Sequence, residues 1–151
     1  MKILIGADHR GHDFKEKIKK ILSASKYDVT DCGTHHSEES CDYPKIAYKV
    51  ATGVAKHPHR RGILVCMSGI GQAMAANKIS GAYAALCYTP QAAQLARAHN
   101  NANILVMGAK FVKSNQIKKI INNFLTTPFE GGRHERRINQ IKQIEKGKSL
   151  K

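Results

Sequence analysis

Apolar and polar positions follow two alternating patterns along the chain. Short apolar blocks of strand length recur at Lys2–Ala7, Tyr27–Cys32, Arg61–Met67, Ala82–Tyr88 and Asn103–Met107. The block ending in Cys66 and Met67 is apolar almost throughout, as in a strand covered on both faces. Between these blocks the period changes to that of a helix. In Gly11–Ser25, Phe14, Ile18, Ile21 and Leu22 fall on one stripe, and Lys15, Lys19 and Lys20 are read as solvated. Helices are also predicted over Tyr43–Lys56, Gly71–Ile79, Pro90–Asn100 and Ser114–Leu125. Pro44 suits a first turn, and the side chains of Asp42 and Ser114 are the expected N-caps. A last helix over 134–146 carries Ile138, Ile141 and Ile144 on one stripe, and 146–151 reads as a flexible tail.

Strands alternating with helices predict one α/β domain over 1–151, a parallel sheet with helices on both faces. In such folds ligands bind outside the carboxyl ends of the strands. That rule selects Asp8 and His9, the 33–42 loop, Cys66–Gly71 and Gly108–Lys110.

Charge sharpens the choice. The chain has 151 residues and a formal net charge of +14. Residues 62–112 hold three basic residues and no acid at all, while 113–151 hold ten basic and three acidic residues. The middle third therefore supplies no carboxylate to any chemistry it hosts. A strongly basic chain attracts nucleic acid or small phosphorylated anions. Stacking on single strands wants exposed aromatics; here they are 6% of the chain, with no Trp, so no specific nucleic-acid partner is expected. The four cysteines form no C-x-x-C pair, which fits a reducing compartment. No apolar run is long enough to span a bilayer, and Asp8, His9 and Arg10 cut short the initial apolar run, so a cytoplasmic location is expected.

Cys66-Met67-Ser68-Gly69-Ile70-Gly71 is the sharpest motif. Glycines at a strand end let amides approach an anion, and a helix N-terminus favours a thiolate. The competing reading is a turn in which Cys66 is a small buried hydrophobe. A dinucleotide fingerprint would need a further glycine and an acid about 20 residues on, and a P-loop would need Gly-Lys-Ser/Thr; neither is present. A cysteine-phosphatase loop would need Arg at position 72, which is Gln. Asp8-His9 offers an acid and an imidazole that suit sugar hydroxyls or a proton shuttle; Asp8 also suits a helix cap. His99-Asn100 ends a helix, where an imidazole suits general-acid work or simply a solvated terminus. Arg133 and Arg137 lie one turn apart, suited to a phosphate or to an exposed basic face. No Cys/His set has zinc-site spacing, so no metal is expected.

Six segments taken in order resemble ribose-5-phosphate isomerase type B, a family shared with galactose-6-phosphate and allose-6-phosphate isomerases. They are Gly6-Ala7-Asp8-His9, Asp42-Tyr43-Pro44, Cys66–Gly71, Ala75–Lys78, His99-Asn100 and Glu130–His134. The resemblance runs from residue 2 to about 146. It implies a three-layer Rossmann-like α/β/α fold with a five-stranded parallel sheet. It also implies a cofactor-free interconversion of ribose 5-phosphate and ribulose 5-phosphate, or the same chemistry on a six-carbon sugar phosphate. The assembly would be a homodimer or tetramer with active sites at the subunit interface. By position, Cys66 would move the proton between C2 and C1, and His99 from the neighbouring subunit would assist ring opening. Asp8 and His9 would contact the sugar. The amides of Met67, Ser68, Gly69, Ile70 and Gly71, with the Ser68 hydroxyl, would stabilise the enediolate. Asn100, Lys110, Arg133 and Arg137 would surround substrate oxygens, chiefly those of the phosphate. One branch of the family places a glutamate in the glycine loop; Gln72 puts this chain with the cysteine branch. Lys110 stands where the family commonly has Arg, keeping the charge without the bidentate fork.

Overall fold

A computed structural model of the chain describes Met1–Leu150; Lys151, the end of the expected tail, lies outside the described residues. Five strands, β1 (Lys2–Ala7), β2 (Asp28–Asp31), β3 (Arg60–Cys66), β4 (Ala84–Leu86) and β5 (Ile104–Gly108), form one parallel sheet in the order 2-1-3-5-4. The helices are α1 (His12–Ala24), α2 (Tyr43–Ala55), α3 (Ile70–Ala76), α4 (Pro90–Ala98), α5 (Ile117–Thr126) and α6 (Arg133–Glu145).

Strand alternation sorts the apolar side chains into two layers. Ile3, Ile5, Ile63, Val65, Leu105 and Met107 meet Phe14, Ile18 and Leu22 of α1 and Ile120 and Phe124 of α5. Leu4, Leu64, Ile104 and Val106 meet Ile46, Val50 and Val54 of α2 and Ala76 of α3. The expected three-layer α/β/α architecture follows. Its consequence for function lies in the connections. β1 leads into α1 on one face, while the neighbouring β3 leads into α3 on the other. The two loops diverge and leave a crevice at the carboxyl ends, the usual ligand position in such sheets.

Four local expectations are corrected. Lys15 is not solvated: it is 0% exposed, and its Nζ donates to both Asp31 carboxylate oxygens at 2.9 and 2.8 Å and to the Thr34 carbonyl at 2.5 Å. Lys19 joins it at 2.7 Å from Asp31 Oδ2, whereas Lys20 is exposed as expected. Stripe position alone misjudged Lys15 because a long side chain can reach a carboxylate beyond its own helix. Asp42 does precede α2, but its carboxylate turns to Lys45 Nζ at 3.9 Å and caps no amide. Ser114 opens a 3₁₀ turn ahead of α5, where Gln116 N donates to the Lys113 carbonyl at 2.9 Å, so no side-chain cap forms. The α6 stripe is only partly covered: Ile138 is buried, but Ile141 and Ile144 are exposed along an open groove, while Glu145 beside them is tied to Ser80, Gly81 and Tyr83. Boundaries also move. α3 stops at Ala76, where the Asn77 side chain exchanges two hydrogen bonds with the Ala84 backbone, and edge strand β4 keeps only three residues.

The Lys15–Asp31 pair ties α1 to the loop after β2, since Asp31 Oδ1 also accepts from Gly33 N at 2.9 Å. Burial alone would raise the Asp31 carboxyl; hydrogen bonds from Lys15, Lys19 and the Gly33 amide override it and hold the group at about 2. A carboxyl held below its unfolded value of about 3.9 stabilises the fold fully above that value. The contribution, about 2 kcal/mol, is lost as pH falls through about 2. Asp31→Asn leaves buried Lys15 with only the half-exposed Glu16 carboxylate, 3.5 Å away, as counter-charge and is expected to cost about 3 kcal/mol at pH 7. The difference from the native chain should shrink below pH 4. Urea unfolding at pH 7 and pH 3 checks this; an unchanged midpoint at pH 7 would remove the pair from the stability account.

Candidate active site

β3 delivers Cys66 to the crevice, 6% exposed and opposite Gly108 of β5. The chain then turns sharply. Gly69 sits at φ +88°, and a Cβ there would meet Leu86 Cδ1 at 2.5 Å, so the turn needs glycine for both conformation and space. The turn aims the Gly69 amide back at Cys66 Sγ, 2.9 Å away, a bond that strengthens when the sulfur carries negative charge. The Ile70 amide is taken by Ser68 Oγ at 3.3 Å. Ser68 N and Gly71 N have no hydrogen-bond partner among the described residues. Two tyrosines close the loop. Tyr43 lies so near Gly71 that a Cβ there would come within 2.5 Å of its ring. Tyr88 donates its hydroxyl to the Ser68 carbonyl at 2.7 Å, and burial, then the neighbouring Cys66, pushes its phenol up. Gln72 is fully buried and donates Nε2 to the Val65 carbonyl at 2.9 Å, pinning α3 to β3.

Asp8 and His9 stand beside this loop. Asp8 N donates to the Val65 carbonyl at 3.3 Å, and Asp8 Oδ1 accepts from Gly11 N at 2.9 Å. The carboxylate therefore closes the turn ahead of α1 without capping the helix, whose N-cap is Gly11 with no side-chain bond. Its pKa is raised, chiefly by burial, against the lowering pull of the Gly11 amide and of His9. His9 Nδ1 accepts from Cys41 N at 3.3 Å. A neutral His9 ring that accepts there carries its proton on Nε2, as a donor for a ligand oxygen. Lys110 is exposed at the same end, its backbone N on the Met67 carbonyl at 3.0 Å. Arg10, which the sequence reading passed over, places Nη1 3.1 Å from Met67 Sδ.

The remaining expected residues form a second cluster. His99 caps the C-terminus of α4 and stacks on His134, ring centroids 4.1 Å apart and nearly parallel. Glu130 Oε2 lies 3.7 Å from His99 Nε2 and 3.6 Å from His134 Nε2. The backbone locks this arrangement, with Glu130 N on the Ala98 carbonyl at 3.0 Å. Burial, then His99 and Arg133, pushes the His134 imidazole down. Arg133 and Arg137 project from the first turns of α6, exposed, and Asn100 is exposed beside His99. His99, Glu130 and His134 bring ligand atoms within 4.8 Å of one another, a donor set that could hold a divalent ion. No local spacing announces it, because 31 residues separate His99 from Glu130.

The two clusters do not meet within one chain. α4 runs antiparallel to the strands, so His99 and Asn100 lie at the amino end of β5, which begins at Ile104. Cys66 lies beside the carboxyl end of β5, at Gly108. Four strand residues of rise, ~13 Å, separate those ends. Cys66, Asp8, His9, the Met67–Gly71 loop and Lys110 share one end; His99, Asn100, Arg133 and Arg137 share the other. Sequence reasoning missed Tyr88, Arg10 and the buried role of Gln72. Only the last had a signal, an amide where the glycine loop meets the helix.

Known proteins resemble this chain over nearly its whole length. The family profile described as Ribose/Galactose Isomerase matches residues 3–141. Ribose-5-phosphate isomerase B of Escherichia coli is 41% identical over 144 residues, 95% of this chain and 96% of that protein. The solved ribose-5-phosphate isomerase B of Clostridium thermocellum superposes with a TM-score of 0.94 at 42% identity, over 97% of this chain and 99% of that one. The Mycoplasma genitalium structure of ribose-5-phosphate isomerase B with bound ribulose-5-phosphate gives 0.92 at 42% identity, over 96% of each chain. A profile match over most of the chain and relatives above 40% identity place the protein: it belongs to the ribose/galactose isomerase family.

Proposed function

We propose that this chain is an aldose–ketose isomerase that interconverts D-ribose 5-phosphate and D-ribulose 5-phosphate through a cis-enediolate. The observation that carries the reading is Cys66, held at the crevice by the Gly69 amide in a segment without a single acid. The base for proton abstraction is then a sulfur. In the aldose-to-ketose direction the Cys66 thiolate takes the proton from C2. The C–H pair becomes the C1=C2 bond, and the carbonyl pair moves onto O1. The same thiol returns the proton to C1 while the O2 hydroxyl proton passes to O1, leaving a carbonyl at C2. Charge on O1 is the barrier, and fixed amides oppose it without reorganising. Met67 N, Ser68 N and Gly71 N are free donors of the loop among the described residues; Gly69 and Ile70 amides serve instead to set the sulfur and the Ser68 hydroxyl. Asp8 and the His9 Nε2 proton suit the sugar hydroxyls.

The active site is completed by a second copy of the chain. His99, Asn100, Arg133 and Arg137 reach substrate only from a partner whose amino-end cluster faces this chain's crevice. Met67, Ile70, Met74 and Phe111 leave exposed apolar surface around the crevice that a partner would cover. His99 acts there as proton donor for ring opening, and the arginine pair holds the phosphate, supplying remote binding energy to place C1 and C2.

The direct test is conversion of ribose 5-phosphate in the presence of EDTA, with allose 6-phosphate and galactose 6-phosphate alongside. Ribulose 5-phosphate formation with weak turnover of both hexose phosphates is the expected result. Turnover of a hexose phosphate alone would keep the chemistry and change the substrate. Silence on all three would overturn the reading.

A further inference from the structure

The amino end of the sheet carries a cavity of about 560 Å³ that the isomerase chemistry does not use. It is bounded by Lys56 after α2, Arg61 of β3, Arg97 of α4, and Lys142, Glu145 and Lys146 at the end of α6. Five cations thus face one carboxylate. That carboxylate is already engaged, by Ser80 Oγ at 3.4 Å, Gly81 N at 3.2 Å and the Tyr83 hydroxyl at 3.2 Å.

The two arginines are the informative groups. Arg97 is 6% exposed, and its Nη1 donates only to Asn101 Oδ1 at 2.9 Å and the Ala102 carbonyl at 2.6 Å. Arg61 donates Nη1 to the Pro58 and Arg60 carbonyls at 2.9 and 2.8 Å, while its buried Nε has no partner among the described residues. Among the described residues neither guanidinium pairs with a carboxylate. Burial pushes both down, Arg97 to about 10 with Arg61 as the second cause. Burying a charge without a counter-charge is costly, and a buried donor without an acceptor adds to the cost. A buried guanidinium and a half-buried one with an unpartnered Nε, without a carboxylate among the described residues and beside a cavity of ligand size, suit a bound anion.

We propose that this cavity binds a compact oligophosphate anion, with Arg97 as its buried fork, Arg61 as a half-buried second fork, and Lys56, Lys142 and Lys146 as its rim. The excess of four positive charges matches a multiply charged phosphate chain better than a single phosphate. The cavity is distinct from the phosphate clamp above: Lys142 lies about 140° around α6 from Arg137. Helix α6 thus carries a substrate-facing arginine pair on one side and an anion-facing lysine pair on another.

Titration calorimetry with inorganic tripolyphosphate, magnesium-free and at 0.1 M salt, tests this directly on the full chain. One tripolyphosphate per chain is expected, bound at least tenfold tighter than inorganic phosphate and undisturbed by saturating ribose 5-phosphate. The exposed pair Lys142→Glu/Lys146→Glu should weaken it at least tenfold, and so should Arg97→Gln if that variant keeps its cooperative unfolding. Arg133→Ala/Arg137→Ala should leave it intact. Loss in the Arg133/Arg137 variant with retention in the lysine variant would move the anion to the substrate clamp and overturn the proposal. Duplex DNA competing away tripolyphosphate at equal phosphate concentration would overturn it in favour of a nucleic-acid surface. The readout is binding, so it stands or falls independently of isomerase activity.

Discussion

Cys66→Ala is expected to lower kcat on ribose 5-phosphate by about 10²–10⁴-fold with KM little changed, the range for removing a positioned general base. No neighbour can take over. Residues 62–112 contain no acid, and Gln72, the polar side chain next to the loop, is an amide committed to the Val65 carbonyl. The other buried thiol, Cys87, is pushed up to about 12 by burial, and burial raises Cys32 as well. The substitution removes one sulfur and one amide acceptor, so the fold should survive, which a melting curve verifies. Cys66→Ser separates positioning from basicity. It restores an acceptor for Gly69 N but is a far weaker acid, and should remain as inactive as alanine. Activity within tenfold of native in either variant would move the base elsewhere, with Asp8, whose pKa is raised, the first to test.

The second large effect is a recovery. Cys66→Ala and His99→Ala chains should each be nearly inactive alone, yet a refolded mixture should regain about one quarter of native activity. In a two-fold symmetric dimer with sites shared across the interface, each mixed dimer has one site built from two intact clusters and one that lacks both groups. Random pairing makes half of the dimers mixed, and half of their sites are intact. Absence of recovery, with subunit exchange shown by a tag on one chain, would mean that His99 serves no site containing the partner's Cys66. The ~13 Å between the two ends of β5 is the reason to expect recovery.

The fold was legible because its signals are local. The block around Ile63–Val65 reads as a doubly covered strand and is one; Phe14, Ile18 and Leu22 mark the buried face of α1. Errors fell where a local rule met a competing partner, distant for Lys15 and local for the two caps. Lys15 is a polar residue on a helix, yet Asp31 and Thr34 wait for it across 16 and 19 residues. Ser114 and Asp42 have the chemistry of caps, but a 3₁₀ turn and Lys45 took their places. The candidate residues were legible through resemblance, because glycine spacing and strand ends are local features too. Tyr88 was not: its value lies in a hydrogen bond to Ser68, 20 residues away, and nothing in its neighbourhood announces that.

The sequence by itself determined the alternation of strands and helices, the glycine turn after Cys66 and the absence of acids around it. Each depends on side-chain period, backbone freedom or charge, which neighbouring residues carry. Tertiary structure alone decided which face each helix covers, and so where β1 and β3 diverge to make the crevice. It alone put His99 at the opposite end of the strands from Cys66. It also placed Arg61 and Arg97 around one cavity with no carboxylate partner among the described residues. These are relations between segments far apart in the chain, set by how layers pack, and no local period or spacing encodes the distance between two side chains that only packing brings together.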